Sequence, residues 1–406
     1  MKEFDKTAEF LKPRLRLFLS VDLVGSTSLK QGGSLPIRSA DDPTVQKNIG
    51  AEWFRPISEF YRNVERIFFR HWAEYKDKIS SKYSWSVGSS PRLWKANGDE
   101  LLYVKEINDE QEAWACLGCW IRTIIEYRGI LRKTHPKMNV KGSAWTAGFP
   151  FSNIEVIFRN NPGQSDYSSD SGHPHFVNYY LLNEYYKKNK KKEFTIDYIG
   201  PSIDTGFRLS AIATPRKFVI SLELAFIASY VPIDAEYEKE IQIRYDGTKE
   251  LKGVLGGKPY PILWIDTMIS DQLTNHEDAI SPNRPMKIEK SDVADFCQSY
   301  IKDNPSYLFR PFMINSGNET FKKYPEGYVN KINEWQGIWE NEREKLNIEQ
   351  RSVAGEAPSG TGEVEETANS GDVKRFAAAI APKKPRRRGR RGGRRRSRSK
   401  DPTGAA

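Results

Sequence analysis

Cysteine is scarce in this chain of 406 residues, which contains only three. So few cysteines, and an odd number of them, argue against a disulfide-stabilised secreted domain. No apolar run approaches the roughly 20 residues that a membrane-spanning helix needs. The N-terminal sequence MKEFDKTAEFLKPRLR also lacks the apolar core of a signal peptide. We therefore expect a cytoplasmic protein without a membrane span.

Excess positive charge is missing from most of the chain, although the formal net charge is +10. The segment 383–400, KKPRRRGRRGGRRRSRSK, holds twelve Lys and Arg residues and no acid. Without those cations and the acid that follows them, Asp401, residues 1–382 are close to neutral. Residues 351–406 are therefore predicted to be a disordered, Arg-rich tail. Such a tail can bind nucleic acid nonspecifically, so a nucleic-acid-binding protein acting through its tail is the alternative from a different functional class.

Apolar periodicity and turn residues divide the rest of the chain into strands and helices. Strands are predicted at 15–24, on both sides of the Ala-Asn-Gly-Asp turn and at 139–148. FTIDYIGPSIDTGFRLSAIA is predicted to be a strand, a turn and a helix, KFVISLELAF a strand that leads into a short helix, and ELKGVLGGKPYPILWID a final hairpin. Helices are predicted at 52–75, where apolar residues recur at helical spacing, and at 108–132. Residues 1–13 are taken as an N-terminal arm, about 155–195 as an insertion, and 269–350 as a helical C-terminal extension.

The first predicted strand carries a charged residue, Asp22, within an otherwise apolar run, LFLSVDLV. A buried carboxylate is costly unless it is paired or binds a metal. Alternatively, Asp22 caps the helix predicted to begin near Ser26. The local sequence leaves both interpretations open.

Four short motifs, in the same order along the chain, resemble those of the class III nucleotide cyclases. They are Asp-Leu-Val-Gly-Ser-Thr at 22–27, Gly-Asp at the hairpin tip 98–99, DYIGPSIDTGFR at 197–208 and Lys-Gly at 252–253. The resemblance covers about residues 14–268, which it identifies as a nucleotide cyclase catalytic domain. It implies an α/β (α+β) fold with a ferredoxin-like, mainly antiparallel central sheet flanked by helices.

The resemblance also assigns two divalent cations, Mn²⁺ or Mg²⁺, to each active site. Asp22 and Asp99 would bind both cations, and the backbone carbonyl of Leu23 would be a third ligand. Hard cations of this kind prefer carboxylate oxygens and complete their coordination with substrate phosphates. Two such ions about 3.5–4 Å apart can activate the ribose 3′-hydroxyl and neutralise charge on the phosphates.

Further residues are predicted to contact the triphosphate. The backbone amides of Gly25, Ser26 and Thr27 lie at a predicted helix N-terminus, which suits phosphate binding. By resemblance, Arg208 would stabilise the transition state at the α-phosphate and Lys252 would hold the terminal phosphates.

In this family, the metal-binding aspartates of one protomer face the arginine and the base-reading residues of another. The resemblance therefore implies a homodimer with two shared active sites. Asp204 stands where adenylate cyclases carry an asparagine that orients the ribose. As an anion, Asp204 can position the sugar edge or pair with Arg208.

Lys95 and Asp197 occupy the positions of the lysine and aspartate that read adenine in adenylate cyclases. A lysine donor and an aspartate acceptor suit adenine, uracil and cytosine equally well, so the chemistry alone leaves ATP, UTP and CTP open. GPSIDTGFRL and the aromatic helix EWFRPISEFYRNVERIFFRHW are similar to the stand-alone pyrimidine cyclases of bacterial anti-phage defence. That resemblance favours UTP as substrate, cyclic UMP as product and an effector, encoded elsewhere, that the cyclic nucleotide activates. Cytidylate and adenylate cyclases are the alternatives.

Overall fold

The computed structural model describes most of the chain. The described residues are 4, 6–32, 53–82, 88–160, 176–187, 191–232, 239, 241–268, 271–280, 288–313, 315–325 and 327–354. The chain divides into two units, residues 1–161 with 178–343 and residues 162–177 with 344–406. The first unit contains every candidate site residue. In the second, the described residues are the ends of two helices, and the tail predicted beyond them lies outside the described residues.

The described residues form nine strands and ten α-helices. The strands are β1 (Arg14–Val24), β2 (Arg92–Asn97), β3 (Glu100–Ile107), β4 (Asn139–Phe149), β5 (Ile154–Arg159), β6 (Phe194–Ile199), β7 (Lys217–Ile220), β8 (Ile243–Glu250) and β9 (Pro259–Asp266). The helices are α1 (Ser26–Gly32), α2 (Phe54–Lys82), α3 (Glu110–Thr134), α4 (Phe176–Lys187), α5 (Pro201–Ile212), α6 (Leu222–Ser229), α7 (Gln272–Ile280), α8 (Lys290–Asp303), α9 (Glu319–Lys322) and α10 (Tyr328–Ala354).

Seven strands form the central sheet in the order β2-β3-β1-β4-β7-β9-β8. The first four strands and the helices between them follow the βαββαβ pattern of a ferredoxin-like fold. The strand pairs of this sheet are antiparallel, except that β4 and β7 are parallel. The prediction of an α/β fold with a mainly antiparallel central sheet flanked by helices is confirmed.

The central strand β1 has two different buried faces. Leu17 and Val21 belong to the apolar core that the sheet forms with α2 and α3. Residues on the opposite face, including Phe18 and Ser20, point toward α5, because the Ser20 hydroxyl lies 3.2 Å from a serine hydroxyl of that helix. Side chains alternate along a strand, so Asp22 belongs to the α5 face, at the end of the strand.

The helix α5 approaches the sheet very closely through Gly206. A Cβ atom at this position would lie 2.2 Å from ring atoms of Trp145 on β4. Any side chain here would therefore push the helix away from the sheet. The close packing places Asp204 and Arg208, which share this helix, beside the central strands.

The segment interpreted as an insertion contains regular structure at its ends. Strands β5 and β6 pair into a separate two-stranded sheet, and α4 lies between them in the chain. The sequence pattern does not reveal β5, because its buried face carries Glu155. The carboxylate of Glu155 accepts a hydrogen bond of 2.5 Å from Arg16 of β1, so an ion pair replaces the usual apolar contact.

The predicted C-terminal extension is helical, as expected, and includes α7 to α10. Within it, α8 packs against α6 through Val293, Cys297 and Ile301, which join the main apolar core. The three cysteines of the chain are all buried, and none of them is in a disulfide. None of the described helices is both long enough and apolar enough to cross a membrane.

Candidate active site

Asp22 and Asp99 lie close together where two neighbouring strands meet the β2–β3 turn. β1 pairs with β3 so that Asp22 stands opposite Glu100. The backbone N–H of Leu23 donates to the carbonyl of Asp99 over 3.1 Å. The structure thus brings the two predicted metal-binding carboxylates and the backbone of Leu23 to one place.

Residues of α1 hold the carboxylate of Asp99. The Ser26 hydroxyl donates a hydrogen bond to one of its oxygens, and the Lys30 ammonium lies 3.4 Å from the other. Gly25, with φ of +95°, allows the sharp turn from β1 into α1. Ser26 therefore contributes its side chain to the site, whereas the sequence predicted a role only for its amide. Thr27 is exposed beside it.

The environment of Asp22 disfavours its charged form. Burial raises the pKa of Asp22 from its usual 3.8 to about 6, and the negative charges of Asp99 and Glu100 add to the rise. The ammonium of Lys141, on the adjacent strand β4, lies 3.4 Å from Asp22 and opposes it. A cation bound between these neighbouring carboxylates would reduce their repulsion and favour the charged form of Asp22.

We expect Asp22→Asn to stabilise the metal-free protein at pH 8. Because the pKa of Asp22 is higher in the folded state than the usual 3.8, the folded protein binds this proton more tightly than the unfolded chain. The free energy of unfolding therefore falls as pH rises from about 4 to about 6, because the folded protein must then bury a charged Asp22. Above that range the loss of stability is complete. Asparagine carries no such penalty, so thermal denaturation in chelator should show a melting temperature about 2 °C or more above wild type at pH 8. The difference should vanish near pH 4, and a less stable variant at pH 8 would contradict this account.

Glu100 is a third carboxylate at this corner of the sheet. One of its oxygens accepts hydrogen bonds from the hydroxyls of Ser20, at 2.7 Å, and Ser210, at 3.1 Å. Ser20 lies on β1 and Ser210 on α5, and both are buried. Glu100 therefore connects the hairpin that carries Asp99 to the helix that carries Arg208.

The two predicted base-reading residues contact each other. The Lys95 ammonium lies 2.8 Å from Oδ1 of Asp197, although Lys95 is on β2 and Asp197 is on β6 of the separate small sheet. The indole N–H of Trp94 donates to the same oxygen over 3.0 Å. Both members of the predicted pair are partly exposed, so a ligand can reach them.

A third group consists of Arg208 and Lys252, which are both exposed. The Arg208 Nε–H donates to the backbone carbonyl of Lys252 over 3.2 Å, so α5 contacts the turn between β8 and β9. Asp204 is exposed in the first turn of α5. Within the described part of the chain, Asp204 and Arg208 form no ion pair, and neither Arg208 nor Lys252 bonds to Asp22 or Asp99.

The donor set at Asp22 and Asp99 suits a hard divalent cation. Carboxylate and carbonyl oxygens are the ligands that Mg²⁺ and Mn²⁺ prefer, and these ions commonly keep water or substrate phosphate in their remaining positions. No cluster of three or more His, Cys, Asp or Glu side chains able to hold a metal occurs among the described residues. A cation here would therefore take its other ligands from the backbone of Leu23, water or a bound phosphate.

Comparisons with known proteins add structural neighbours. No protein-family model matches this chain. No curated protein matches it. Among solved structures, it is similar to the adenylyl cyclase CyaB from P. aeruginosa, with 11% identity and a TM-score of 0.38 over 63% of this chain and 94% of that one. It is also similar to the guanylate cyclase domain of RhGC from Catenaria anguillulae in complex with GTP, with 12% identity and a TM-score of 0.33 over 63% and 97% of the two chains.

Three residues near these groups were not predicted from the sequence. Lys30 stands four residues after Ser26, a spacing that puts both on one face of a helix, so it could have been found. Glu100 directly follows Asp99, but its serine partners come from distant parts of the chain. No local signal distinguishes Trp94 from a core tryptophan.

Proposed function

We propose that this protein is a class III nucleotide cyclase. It converts a nucleoside triphosphate, with UTP favoured, to the 3′,5′-cyclic monophosphate and diphosphate. The observation that carries the proposal is that Asp22 and Asp99 lie next to each other beside the β1–α1 turn. The pKa of Asp22 is raised there to about 6. The order of the four motifs along the chain supports it as well.

The proposed mechanism assigns a task to each residue at the metal-binding group. Asp22 and Asp99, with the backbone carbonyl of Leu23, would hold two cations. When bound, these would lower the pKa of the ribose 3′-hydroxyl and neutralise charge on the phosphates. Ser26 orients the Asp99 carboxylate through its hydroxyl. That the amides of Gly25, Ser26 and Thr27 bind the triphosphate stays a prediction.

The positively charged side chains that would bind the phosphates, Arg208 and Lys252, come from the other protomer in this proposal. Arg208 would stabilise charge on the α-phosphate in the transition state, for which a planar guanidinium is well suited. Lys252 would hold the terminal phosphates. Their contact in this structure supports treating them as one unit. Asp204, one helical turn before Arg208, faces the ribose in this proposal.

The base would be read by Lys95 and Asp197. A lysine donates to O4 of uracil while an aspartate accepts from N3–H, and the same pair can serve ATP or CTP. The likeness of this chain to the pyrimidine cyclases of anti-phage defence supports UTP, and with it a cyclic-nucleotide-activated effector encoded elsewhere. Adenylate and cytidylate cyclases are the alternatives. The Arg-rich tail adds a nonspecific contact with nucleic acid in this proposal.

Incubation of the purified protein with each of the four nucleoside triphosphates and Mn²⁺ tests the proposal. We expect mass spectrometry to detect a cyclic monophosphate and diphosphate, with UTP consumed fastest. The Asp99→Asn variant, purified in the same way, controls for contaminating phosphatases and cyclases. Faster conversion of ATP would identify an adenylate cyclase. Loss of triphosphate without a cyclic product would contradict cyclase activity altogether.

A further inference from the structure

We propose that Trp94 is a specificity-determining positioning residue, which fixes the Lys95 ammonium and the Asp197 carboxylate in one geometry for reading a nucleotide base. The inference rests on the proposed function, because it concerns the base-reading part of that site. Neither the four motifs nor the local sequence assigns a role to this tryptophan.

Only one of the two oxygens of the Asp197 carboxylate accepts hydrogen bonds from described residues. Its Oδ1 atom accepts from the Lys95 ammonium at 2.8 Å, from the Trp94 indole N–H at 3.0 Å and from the backbone N–H of Tyr198 at 2.9 Å. No described residue donates to its Oδ2 atom. A carboxylate held in this way presents a single fixed acceptor to a ligand, instead of rotating freely.

Trp94 contacts both members of the pair. While its N–H binds Asp197, its ring faces the Lys95 ammonium, which lies 4.1 Å from the ring centroid. This distance is well within the range of a cation–π interaction. Lys95 uses one contact on Asp197, and an ammonium has three donors, so it can still donate to a base. The indole therefore fixes a donor and an acceptor next to each other.

The indole itself is held firmly by three different elements. Its ring packs against Phe18 of β1 and Tyr198 of β6, each with ring centroids 5.2 Å away. Phe207 of α5 lies 6.1 Å away, directly before Arg208 in the chain. Trp94 is thus packed against the central sheet, the small sheet and α5. This packing fixes the position of Lys95 and Asp197 relative to the rest of the proposed site.

This geometry defines the chemical class that the site reads. A fixed acceptor beside a fixed donor suits a base edge that carries an N–H next to a carbonyl or ring nitrogen. Uracil, cytosine, adenine and guanine all have such an edge, so the base that fits best depends on where the donor and the acceptor are held. A loosely held Lys and Asp would accept these bases with little preference. Discrimination among triphosphates should therefore depend on the indole N–H.

The test compares Trp94→Phe with a matched control, Trp145→Phe. Phenylalanine at 94 keeps an aromatic ring but removes the N–H bond to Asp197. Trp145 belongs to the same aromatic cluster, stacking on Phe18 at 5.5 Å, yet its buried N–H has no hydrogen-bond partner among the described residues. The control therefore removes an indole N–H from the cluster without removing a hydrogen bond.

Two quantities are measured on both variants and on wild type. The first is kcat/KM for each of the four triphosphates, and the second is their equilibrium affinity with Ca²⁺ in place of Mn²⁺. We expect Trp94→Phe to lower kcat/KM and affinity for the preferred triphosphate about tenfold, the usual effect of losing one hydrogen bond to a charged group. The kcat/KM values and affinities for the other triphosphates should change little. The ratio of kcat/KM for the preferred triphosphate to kcat/KM for the others should therefore fall about tenfold as well. Trp145→Phe should retain the wild-type preference.

The outcomes separate this inference from the proposed function. If Trp94→Phe weakens all four triphosphates equally, or keeps the wild-type preference, the inference is wrong while the cyclase proposal stands. If wild type binds triphosphates selectively but cyclises none, the cyclase proposal fails, and loss of that selectivity in Trp94→Phe still supports the inference. Wild-type protein that shows no preference in either measurement overturns the inference.

Discussion

Replacing Asp99 by asparagine should reduce nucleotide turnover about a thousandfold or more. Asp99 supplies half of the carboxylate charge at the proposed metal-binding group, and a single remaining carboxylate cannot hold two divalent cations. A loss of about 4 kcal/mol in transition-state stabilisation corresponds to this factor. Asp22→Asn should have an effect of the same size, because the two carboxylates act on the same pair of ions.

The substitution is small enough for the fold to survive. The Ser26 hydroxyl, which donates to Asp99, can still donate to the carbonyl oxygen of an asparagine. Glu106→Gln is a suitable control, because Glu106 lies on β3, the strand that follows Asp99, at the end remote from Asp99, where it pairs with Arg14 and Arg16. Steady-state assays with UTP and Mn²⁺ should show near wild-type turnover for the control. Substantial turnover by Asp99→Asn would contradict the two-metal assignment.

A heterodimer of an Asp22→Ala chain and an Arg208→Ala chain should recover about half of the wild-type activity. If the active sites are shared as proposed, each homodimeric variant lacks an essential group in both sites and should be nearly inactive. In the heterodimer, one site combines the damaged halves and the other combines the two intact halves, so one of two sites works. The expected gain over either homodimer is therefore on the order of a hundredfold or more.

The experiment needs heterodimers of known composition, obtained by co-expression with two different affinity tags and tandem purification. A heterodimer of Asp22→Ala with Asp99→Ala is the matched control. Both of its substitutions fall on the metal-binding half, so no intact site forms and no activity should return. Recovery in the control but not in the test pair would contradict the proposal. It would mean that Asp22 and Arg208 belong to the same half of a site and that Asp99 belongs to the other half. Full activity of a wild-type monomer would rule out shared sites.

Much of the fold could be predicted because its signals are local. The apolar run of β1, the Ala-Asn-Gly-Asp turn between β2 and β3 and the helical periodicity of α2 each depend on neighbouring residues alone. β8 was placed poorly, since the predicted final hairpin began at ELKGVL whereas the strand runs from Ile243 to Glu250. It is an edge strand whose residues are mostly exposed, so it carries little of the apolar pattern that identifies a strand. The domain boundaries stay predictions.

The candidate site was predicted residue by residue, but not as an arrangement. The motifs singled out Asp22, Asp99, Lys95, Asp197 and Arg208. They did not indicate that Lys95 and Asp197 form an ion pair. They also did not indicate what surrounds the carboxylates of Asp22 and Asp99, because such contacts depend on which strands become neighbours.

The sequence by itself determined the identity of the chemical groups and the order of most strands and helices, though not β5 or the position of β8, since these features follow from residue type and from short-range patterns. Only the tertiary structure decided how those groups meet. The Trp94–Asp197 hydrogen bond joins residues 103 positions apart, and the Ser20–Ser210 contact joins residues 190 apart. The raised pKa of Asp22 likewise arises from burial and from charges on neighbouring strands. Such contacts form only when segments far apart in the sequence pack against each other, and no local sequence pattern specifies which segments do so.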